Sequence, residues 1–500
     1  MDLDTYVLYS SLSLFFLLLA FKFISRSLRL RNNLPPSPPS FPVIGHLHLL
    51  KKPPHRTFLN LSAKYGPVMS LRLGSKLAVV LSSSAAVEEC FTKNDVVLAN
   101  RPRLLIGKYI GYNYTTMVAA PYGDHWRNLR RIGAIEIFSI SRINKFTDIR
   151  RDEVMRIVRK LSHNSIHQFS KVEIQSAMSE LTFNITMRMA AGKRYYGEDV
   201  TNEEEARRFR ALIKEIVAVG GVSNPGDFLP VLNWMSKGIE RKLIQLGKKV
   251  DAFLQGLIDD HRNTKEEGRN TMIDHLLSLQ QSEPDHYNDQ IIKGFILVLL
   301  TAGSDTSAVT MEWALCHLLN NPQVLKMARD ELDTQIGQER LVEESDIPKL
   351  PYLQRIIYET LRLNPAAPML VPHYASNDCK ICGYDVPRNT MVLINAWAIH
   401  RDSNEWEDHM SFKPERYEKS KAMEVHKFLP FGVGRRACPG SAMAHRVMGL
   451  TLATLIQCFE WKKIGEEDID MRELSGALMT KMVPLEAMCK TRPIINNILY

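Results

Sequence analysis

The sequence predicts a mostly α-helical fold carrying small β-sheets. Three observations predict it. Apolar residues recur at helical spacing through most of the chain after residue 120. The stretch from Asp289 to Asn320 reads as one apolar helix, and thirty-odd residues at 1.5 Å each reach roughly 45 Å, enough to cross a large domain. Strand-like patterns are confined to short pieces near 68–81 and 369–394.

The first element is an apolar run, VLYSSLSLFFLLLAFKFI, at residues 7–24. Its length is that of a membrane span, about 20 residues. Asp2 and Asp4 precede it, and Lys22, Arg26, Arg29 and Arg31 lie at or beyond its end. The positive-inside rule then places everything downstream in the cytosol. A cleaved signal peptide would have a basic n-region and a small-x-small cleavage site, and this segment lacks both. Residues 1–31 are therefore expected to form a signal anchor with its basic flank. Residues 32–45 hold five prolines, at 35, 36, 38, 39 and 42. These remove amide donors and stiffen the backbone, predicting a rigid hinge. From 46 to 500 no linker, repeat or composition shift appears, which predicts a single large domain.

Within that domain, VMSLRLGSKLAVVL at 68–81 reads as two strands around Gly74-Ser75. NEEEARRFR at 202–210 is expected to be a solvated helix face. Pro322 should stop the long helix begun near Asp289. That helix carries AGSDTS at 302–307, where polar residues interrupt an apolar segment. The segment allows either hydroxyls bonding back to helix carbonyls or a functional site.

Composition narrows the function. Hydrophobic residues make up 45% and charged residues 24%, which is ordinary globular composition. The net charge of +9 suits an acidic partner or an anionic membrane surface. No Lys/Arg tract with interleaved aromatics and no zinc-finger spacing supports nucleic-acid binding. Seven scattered cysteines do not resemble a secreted disulfide framework. Cys379 and Cys382 form a lone CxxC in the turn-like stretch NDCKICGYDVP, expected to be a structural loop.

The chemistry concentrates in FLPFGVGRRACPGSAMAHRVMGLTLATLI, which begins at Phe428. A loop with Phe431, Gly434, Arg436, Cys438 and Gly440 feeds a helix whose apolar positions include Met443, Val447, Leu450, Leu452 and Leu455. Backbone N–H groups at such a helix start can stabilise a thiolate. Glycines let the chain bend tightly beside a flat cofactor. An aromatic ring can shield the sulfur, and an arginine can neutralise an acidic cofactor group. One cysteine before a helix is ordinarily a buried structural residue; five positions agreeing at fixed spacing reverse that.

FGVGRRACPG resembles the haem-binding signature FxxGxRxCxG of the cytochrome P-450 superfamily without departure. Four other segments agree, in the family's order over residues 34–500. Glu359 and Arg362 in YETLR match its ExxR pair, and Pro414-Glu415-Arg416-Tyr417 is similar to its PERF segment with Tyr417 in place of Phe. Trp126 and Arg130 match WxxxR, and Asp305-Thr306 fall where the oxygen-activating helix carries them. Stretches such as RPRLLIGKYIGYNYTT are similar to a plant microsomal (A-type) branch with isoflavone and flavonoid hydroxylases and methylenedioxy-bridge-forming enzymes. Terpenoid-oxidising members share the branch.

The resemblance implies the following expectations. Haem b is ligated by Cys438, with Trp126, Arg130, Phe431, Gly434, Arg436, Gly440 and His373 as cofactor contacts. Glu359, Arg362 and Arg416 form a structural salt-bridge network, and Thr306 with Asp305 relays protons. The pocket draws on 104–114, 298–302, 366–371 and 478–480, represented by Leu104, Tyr114, Val298, Ala302, Met369, Leu370 and Met479. It should suit a hydrophobic multi-ring substrate. One oxygen atom of O2 enters the substrate and the other leaves as water. Electrons are expected from NADPH through a separate flavoprotein reductase, since no Rossmann fingerprint occurs in the chain. Arg127, Arg131, Lys427 and Arg435 are candidate docking charges for it. The expected setting is the endoplasmic reticulum membrane, with a single span. Competing readings are a terpenoid substrate, a reductase-independent haem-thiolate isomerase or lyase, and a non-enzymatic haem carrier or sensor. The last two fit poorly with an intact oxygen-activating helix.

Overall fold

The computed structural model describes residues 9–11, 13–14, 33–198, 200, 202–220, 225–229, 233–264, 270–418 and 424–495. Apart from residues 9–11 and 13–14, the expected anchor at 7–24 lies outside them. The proline-rich hinge is described from residue 33 and does not stand off as a spacer. The amide and hydroxyl of Ser70 donate to the Pro36 and Pro35 carbonyls, both at 2.8 Å. Prolines lack amide donors but keep acceptors, so the extended segment lies against the first strand.

Two strands meet at Gly74-Ser75 as expected: β1 (Val68–Leu73) and β2 (Lys76–Leu81). Gly74 has φ +59°, and a Cβ there would fall 2.2 Å from the Phe228 carbonyl oxygen, so only glycine fits. The other strands are β3 (Ser170–Glu173), β4 (His373–Tyr374), β5 (Cys379–Ile381), β6 (Tyr384–Val386), β7 (Met391–Ile394), β8 (Phe459–Lys462) and β9 (Glu486–Thr491). The main sheet has the order β1-β2-β7-β4, with β2 and β7 parallel and the other pairs antiparallel. Alternation sends Val79, Leu81, Val392 and Ile394 to one apolar cluster and Ala78, Val80, Met391 and Leu393 to another. Burial on both faces explains the unbroken runs AVVL and MVLI. A second sheet runs β3-β9-β8, and β5-β6 is a hairpin. Cys382 and Gly383 turn that hairpin with φ +49° and +80°, as a tight two-residue loop requires. The CxxC is thus a turn, and both thiols are free.

Helices supply the main core. Those that bear on function are α1 (Asp124–Ile132), α2 (Thr147–Ser165), α3 (Ile174–Ala191), α4 (Asn233–Asn263), α5 (Asp289–Gly303), α6 (Asp305–Asn320), α7 (Pro351–Leu363) and α8 (Ser441–Cys458). Asn288 caps α5 by accepting from the Ile291 amide at 3.1 Å. The long helix expected over 289–320 has its outer limits where the sequence places them, but it is interrupted at Ser304. The hydroxyls of Thr301, Ser304 and Thr306 donate back to the carbonyls of Leu297, Leu300 and Ala302. Such back-bonding beside Gly303 bends helices. Among the described residues this stretch is the one helix long and apolar enough to cross a membrane, yet 72% of its most apolar window is buried in protein. It is a core helix.

Two buried histidines tie the helices to the site. His317 of α6 faces Asn364 Oδ1 at 2.7 Å, and burial pushes its imidazole down to about 4. His400 donates from Nδ1 to the Arg362 carbonyl (3.1 Å) and accepts at Nε2 from the Leu429 amide (2.7 Å). Burial and neighbouring arginines push it down to about 3. Both rings stay neutral in the folded state while the unfolded chain takes up protons below its ordinary value. Stability is therefore expected to fall as pH drops through the mid-6 range. His317→Gln should reduce the loss between about pH 7.5 and 5.5 by about 1.4 kcal/mol, read from urea unfolding at both pH values. An unchanged loss would show that His317 titrates alike in both states.

Candidate active site

The loop before α8 is shaped by its own backbone. The Cys438 amide donates to the Phe431 carbonyl at 2.9 Å. Gly434 has φ +72°, and a Cβ there would lie 2.6 Å from both Phe91 Cδ1 and Asp95 Oδ1. At Gly440 a Cβ would meet Phe138 at 3.6 Å and the Cys438 sulfur at 3.9 Å. That is ordinary contact, so Gly440 leaves room beside the sulfur. Cys438 is exposed at the end of this loop. Burial pushes its thiol up, while the Gly440 amide and the Arg130 charge pull it down.

The core helix also carries an exposed patch. Ala302 and Gly303 are exposed, whereas Leu299, Leu300, Ser304, Ser307 and Ala308 around them are buried. Exposure in the middle of a buried helix marks an internal space. Thr306 is half-buried, its hydroxyl donating to the Ala302 carbonyl at 2.7 Å. Burial pushes the Asp305 carboxyl up.

Two arginines lie over Trp126, and a third, Arg101, stands close enough to Arg436 to act on its charge. Arg436 Cζ sits 4.3 Å and Arg130 Cζ 5.7 Å from the indole centroid. Arg436 donates to the carbonyls of Ala99 (2.6 Å), Met117 (3.2 Å) and Ala120 (2.5 Å). Arg130 donates to the Ala437 carbonyl at 3.0 Å. Arg101 donates to the carbonyls of Val371 and Pro372, both at 2.8 Å. None of the three pairs with a carboxylate among the described residues, and Arg101 Nε is buried without a partner. Burial pulls Arg101 down to about 10; burial and its two neighbours pull Arg436 down to about 9. His373 donates from Nδ1 to the Leu98 carbonyl at 2.9 Å and is pushed down to about 3 by burial. Buried cations without counter-charge are costly, and an anionic cofactor edge would balance them. The sulfur, the space beside it and this unbalanced charge fit a haem with acidic side chains.

Behind the loop lies the predicted network. Arg362 is fully buried and donates from Nε and Nη2 to both Glu359 oxygens at 2.8 Å. Arg416 Nε reaches Glu359 Oε1 at 3.0 Å, and the Lys413 amide reaches it at 2.9 Å. Arg362 also donates to the carbonyls of His400, His409 and Ser411.

A family model described as "Cytochrome P450" matches residues 35–487. The chain belongs to the cytochrome P-450 family. As a P-450 it is a monooxygenase whose haem is held by a cysteine thiolate. It is 54% identical over 492 residues to an isoflavone 2′-hydroxylase of Glycyrrhiza echinata, covering 98% of each chain. It is 51% identical over 503 residues to a (+)-piperitol/(+)-sesamin synthase of Sesamum radiatum, covering 99% of each. A solved zebra fish cytochrome P-450 with abiraterone matches with a TM-score of 0.74 at 25% identity, covering 88% of this chain and all of that one.

The pocket candidates of this P-450 are not all alike. Leu104 and Tyr114 are half-buried, and Tyr114 lies in a left-handed run with its ring under Arg103 at 5.5 Å. Val298 packs partly buried against the main core. Met369 joins one sheet cluster and Leu370 the other, with Leu370 Cδ1 4.0 Å from a Cβ built at Gly432. Met479 is a correction. Its side chain is 2% exposed in a small cluster with Trp397 and Ala398, and so presents next to no surface to a pocket. Three of the docking candidates also change character. Arg127 pairs with Asp124, Arg435 with Asp95 at 3.4 Å, and Lys427 with Glu405 and Glu424 at 2.9 and 3.0 Å. Local carboxylates already balance them. Arg131 alone of the four bonds a neutral partner, Asn128, with no ion pair among the described residues.

Proposed function

We propose that this P-450 hydroxylates a hydrophobic, multi-ring plant specialised metabolite of flavonoid, isoflavonoid or lignan type. The observation that carries the reading is the accessible Cys438 sulfur, with half-buried Arg130 close enough to act on it and half-buried Arg101 and Arg436 likewise lacking a carboxylate partner among the described residues. Identity above 50% over nearly the whole chain to an isoflavone hydroxylase and a lignan synthase supports the substrate class over a terpenoid. Cys438 would provide the thiolate, and Arg101, Arg130, Arg436, Trp126 and His373 would hold the acidic edge of the haem. When bound, the haem supplies the activation of O2. Electrons come from NADPH through a separate flavoprotein reductase. The chain is anchored in the endoplasmic reticulum membrane by its N-terminal apolar segment, with the body facing the cytosol.

In this reading Ala302 and Gly303 leave open space on the core helix, and Thr306 orders the proton path. Its hydroxyl now donates to Ala302, a bond it can exchange by rotating about χ1. Asp305, raised by burial, sits next to it as a source of protons. The experiment is incubation of the microsomal enzyme with reductase, NADPH and a panel of flavonoids, isoflavonoids, lignans and terpenoids, with product mass and position determined. Thr306→Ala is expected to keep consuming NADPH while diverting most electrons to hydrogen peroxide, and Thr306→Ser should lie between it and the wild type. Losing the bond to Ala302 should cost only about 1 kcal/mol of stability. Unchanged product per NADPH in the alanine variant would leave Thr306 a purely structural back-bonding residue.

A further inference from the structure

The segment Arg472–Leu485 is mostly exposed between 474 and 477 and again at Met482 and Val483. It is nonetheless gripped at two points by adjacent side chains of α6. Trp313, fully buried, donates from Nε1 to the Met479 carbonyl at 2.6 Å. Glu312, also fully buried, accepts from the Leu485 amide at 2.8 Å through Oε1, while its Oε2 is buried without a partner. Lys481 lies between the two grips, its ammonium 5.0 Å from the Trp313 ring centroid.

The first grip extends across the site. The Met479 amide donates to the Ala366 carbonyl at 2.9 Å, and the Trp397 amide to the Pro368 carbonyl at 3.1 Å. Met479, with its side chain locked against Trp397 and Ala398, is therefore a backbone hub joining α6 to the 366–371 segment. Leu478 and Thr480 flank it, half-buried. Trp313 follows Thr306 by seven residues, two helical turns, so both lie on nearly the same face of α6.

We propose that Trp313, assisted by Glu312, is a positioning residue for substrate selectivity, setting through the Met479 backbone where Leu478 stands relative to the 366–371 wall. It rests on the reading that Leu478 lines the substrate pocket. Trp313 touches no substrate itself. It transmits the position of the helix bearing Thr306 to the wall that orients the substrate, so the oxidised carbon and the proton path share one reference frame.

The test uses full-length enzyme with reductase and an isoflavone substrate. Trp313→Phe keeps an aromatic ring and removes the N–H. It should retain the reduced CO spectrum yet weaken the substrate-induced Soret shift. It should also change the ratio of hydroxylated positions on the order of tenfold, since a displacement of about 1 Å can alter rates by ~100-fold. Glu312→Met removes the acceptor for Leu485 together with the unpartnered oxygen, two changes of opposite sign for stability, and should shift the ratio while the reduced CO spectrum is retained. Glu312→Gln keeps an acceptor and should return the ratio to wild type. Leu478→Ala separates the two readings. If it shifts the ratio while Trp313→Phe and Glu312→Met do not, the positioning role is overturned and the pocket stands. If Leu478→Ala itself changes neither binding nor ratio, the pocket assignment fails and takes the positioning role with it. Should Trp313→Phe not fold, Glu312→Met decides alone.

Discussion

Cys438→Ser is expected to abolish the red-shifted Soret band of the reduced CO complex and essentially all product formation, whereas Cys382→Ser should preserve both. The surroundings of Cys438 oppose a free thiolate, because burial raises the thiol more than Gly440 and Arg130 lower it. A metal charge reverses that balance, since metal binding expels the thiol proton. Serine in the same place keeps its proton under conditions where cysteine gives it up, and the loop has no second sulfur to offer. Cys382 is exposed at a hairpin turn with φ +49°, a position serine tolerates. Retention of the band in the Cys438 variant would move the ligand elsewhere.

Local signals were legible in the sequence, and long-range geometry was not. The Cys438 loop, the Glu359–Arg362 pair and the Gly74 turn are short patterns in which spacing dictates contact, while Arg416, 57 residues from Glu359, was implied only by the family resemblance. The short patterns stand in the structure where spacing puts them. The interruption at Ser304 was visible only as an ambiguity in AGSDTS, because back-bonding by Thr301, Ser304 and Thr306 depends on rotamers that composition does not set. Arg101 was missed as a member of the arginine cluster. Its signal, RPR before the 104–114 segment, carries no charge pattern, and only the fold brings it to Arg436. His400 was missed for the same reason, since its partners Arg362 and Leu429 are 38 and 29 residues away. Met479 shows a finer failure. The 478–480 segment is expected in the pocket wall as a whole, yet the Met479 side chain packs against Trp397 and Ala398, and its flanking residues Leu478 and Thr480 are the half-buried ones. The local pairing of three docking candidates, Arg127, Lys427 and Arg435, was not visible either, because a count of lysines and arginines does not see the aspartates and glutamates beside them.

Arg362→Ala is expected to prevent accumulation of holoenzyme. The guanidinium makes five hydrogen bonds, two to Glu359 and three to the carbonyls of His400, His409 and Ser411. Removing it leaves the Glu359 carboxylate, itself 0% exposed, with only Arg416 and the Lys413 amide. Breaking a buried pair in this way costs about 3–5 kcal/mol, a large part of the roughly 5–15 kcal/mol that holds a domain folded. The damage should reach the cofactor loop, because the Arg362 guanidinium donates to the His400 carbonyl and the His400 ring accepts from the Leu429 amide at the start of the loop. Arg362→Lys keeps the charge without the planar fork, so it should rescue only part of the haem content. Arg435→Ala is the contrast: its pair with Asp95 spans 3.4 Å and is half exposed, and exposed pairs contribute about 0–1 kcal/mol. Haem per polypeptide and the urea midpoint of each purified variant give the order expected, with Arg435→Ala near wild type, Arg362→Lys below it and Arg362→Ala lowest. An Arg362→Ala protein with full haem content and an unshifted midpoint would show that the network is dispensable, and that α7 is held to the cofactor loop by apolar packing alone.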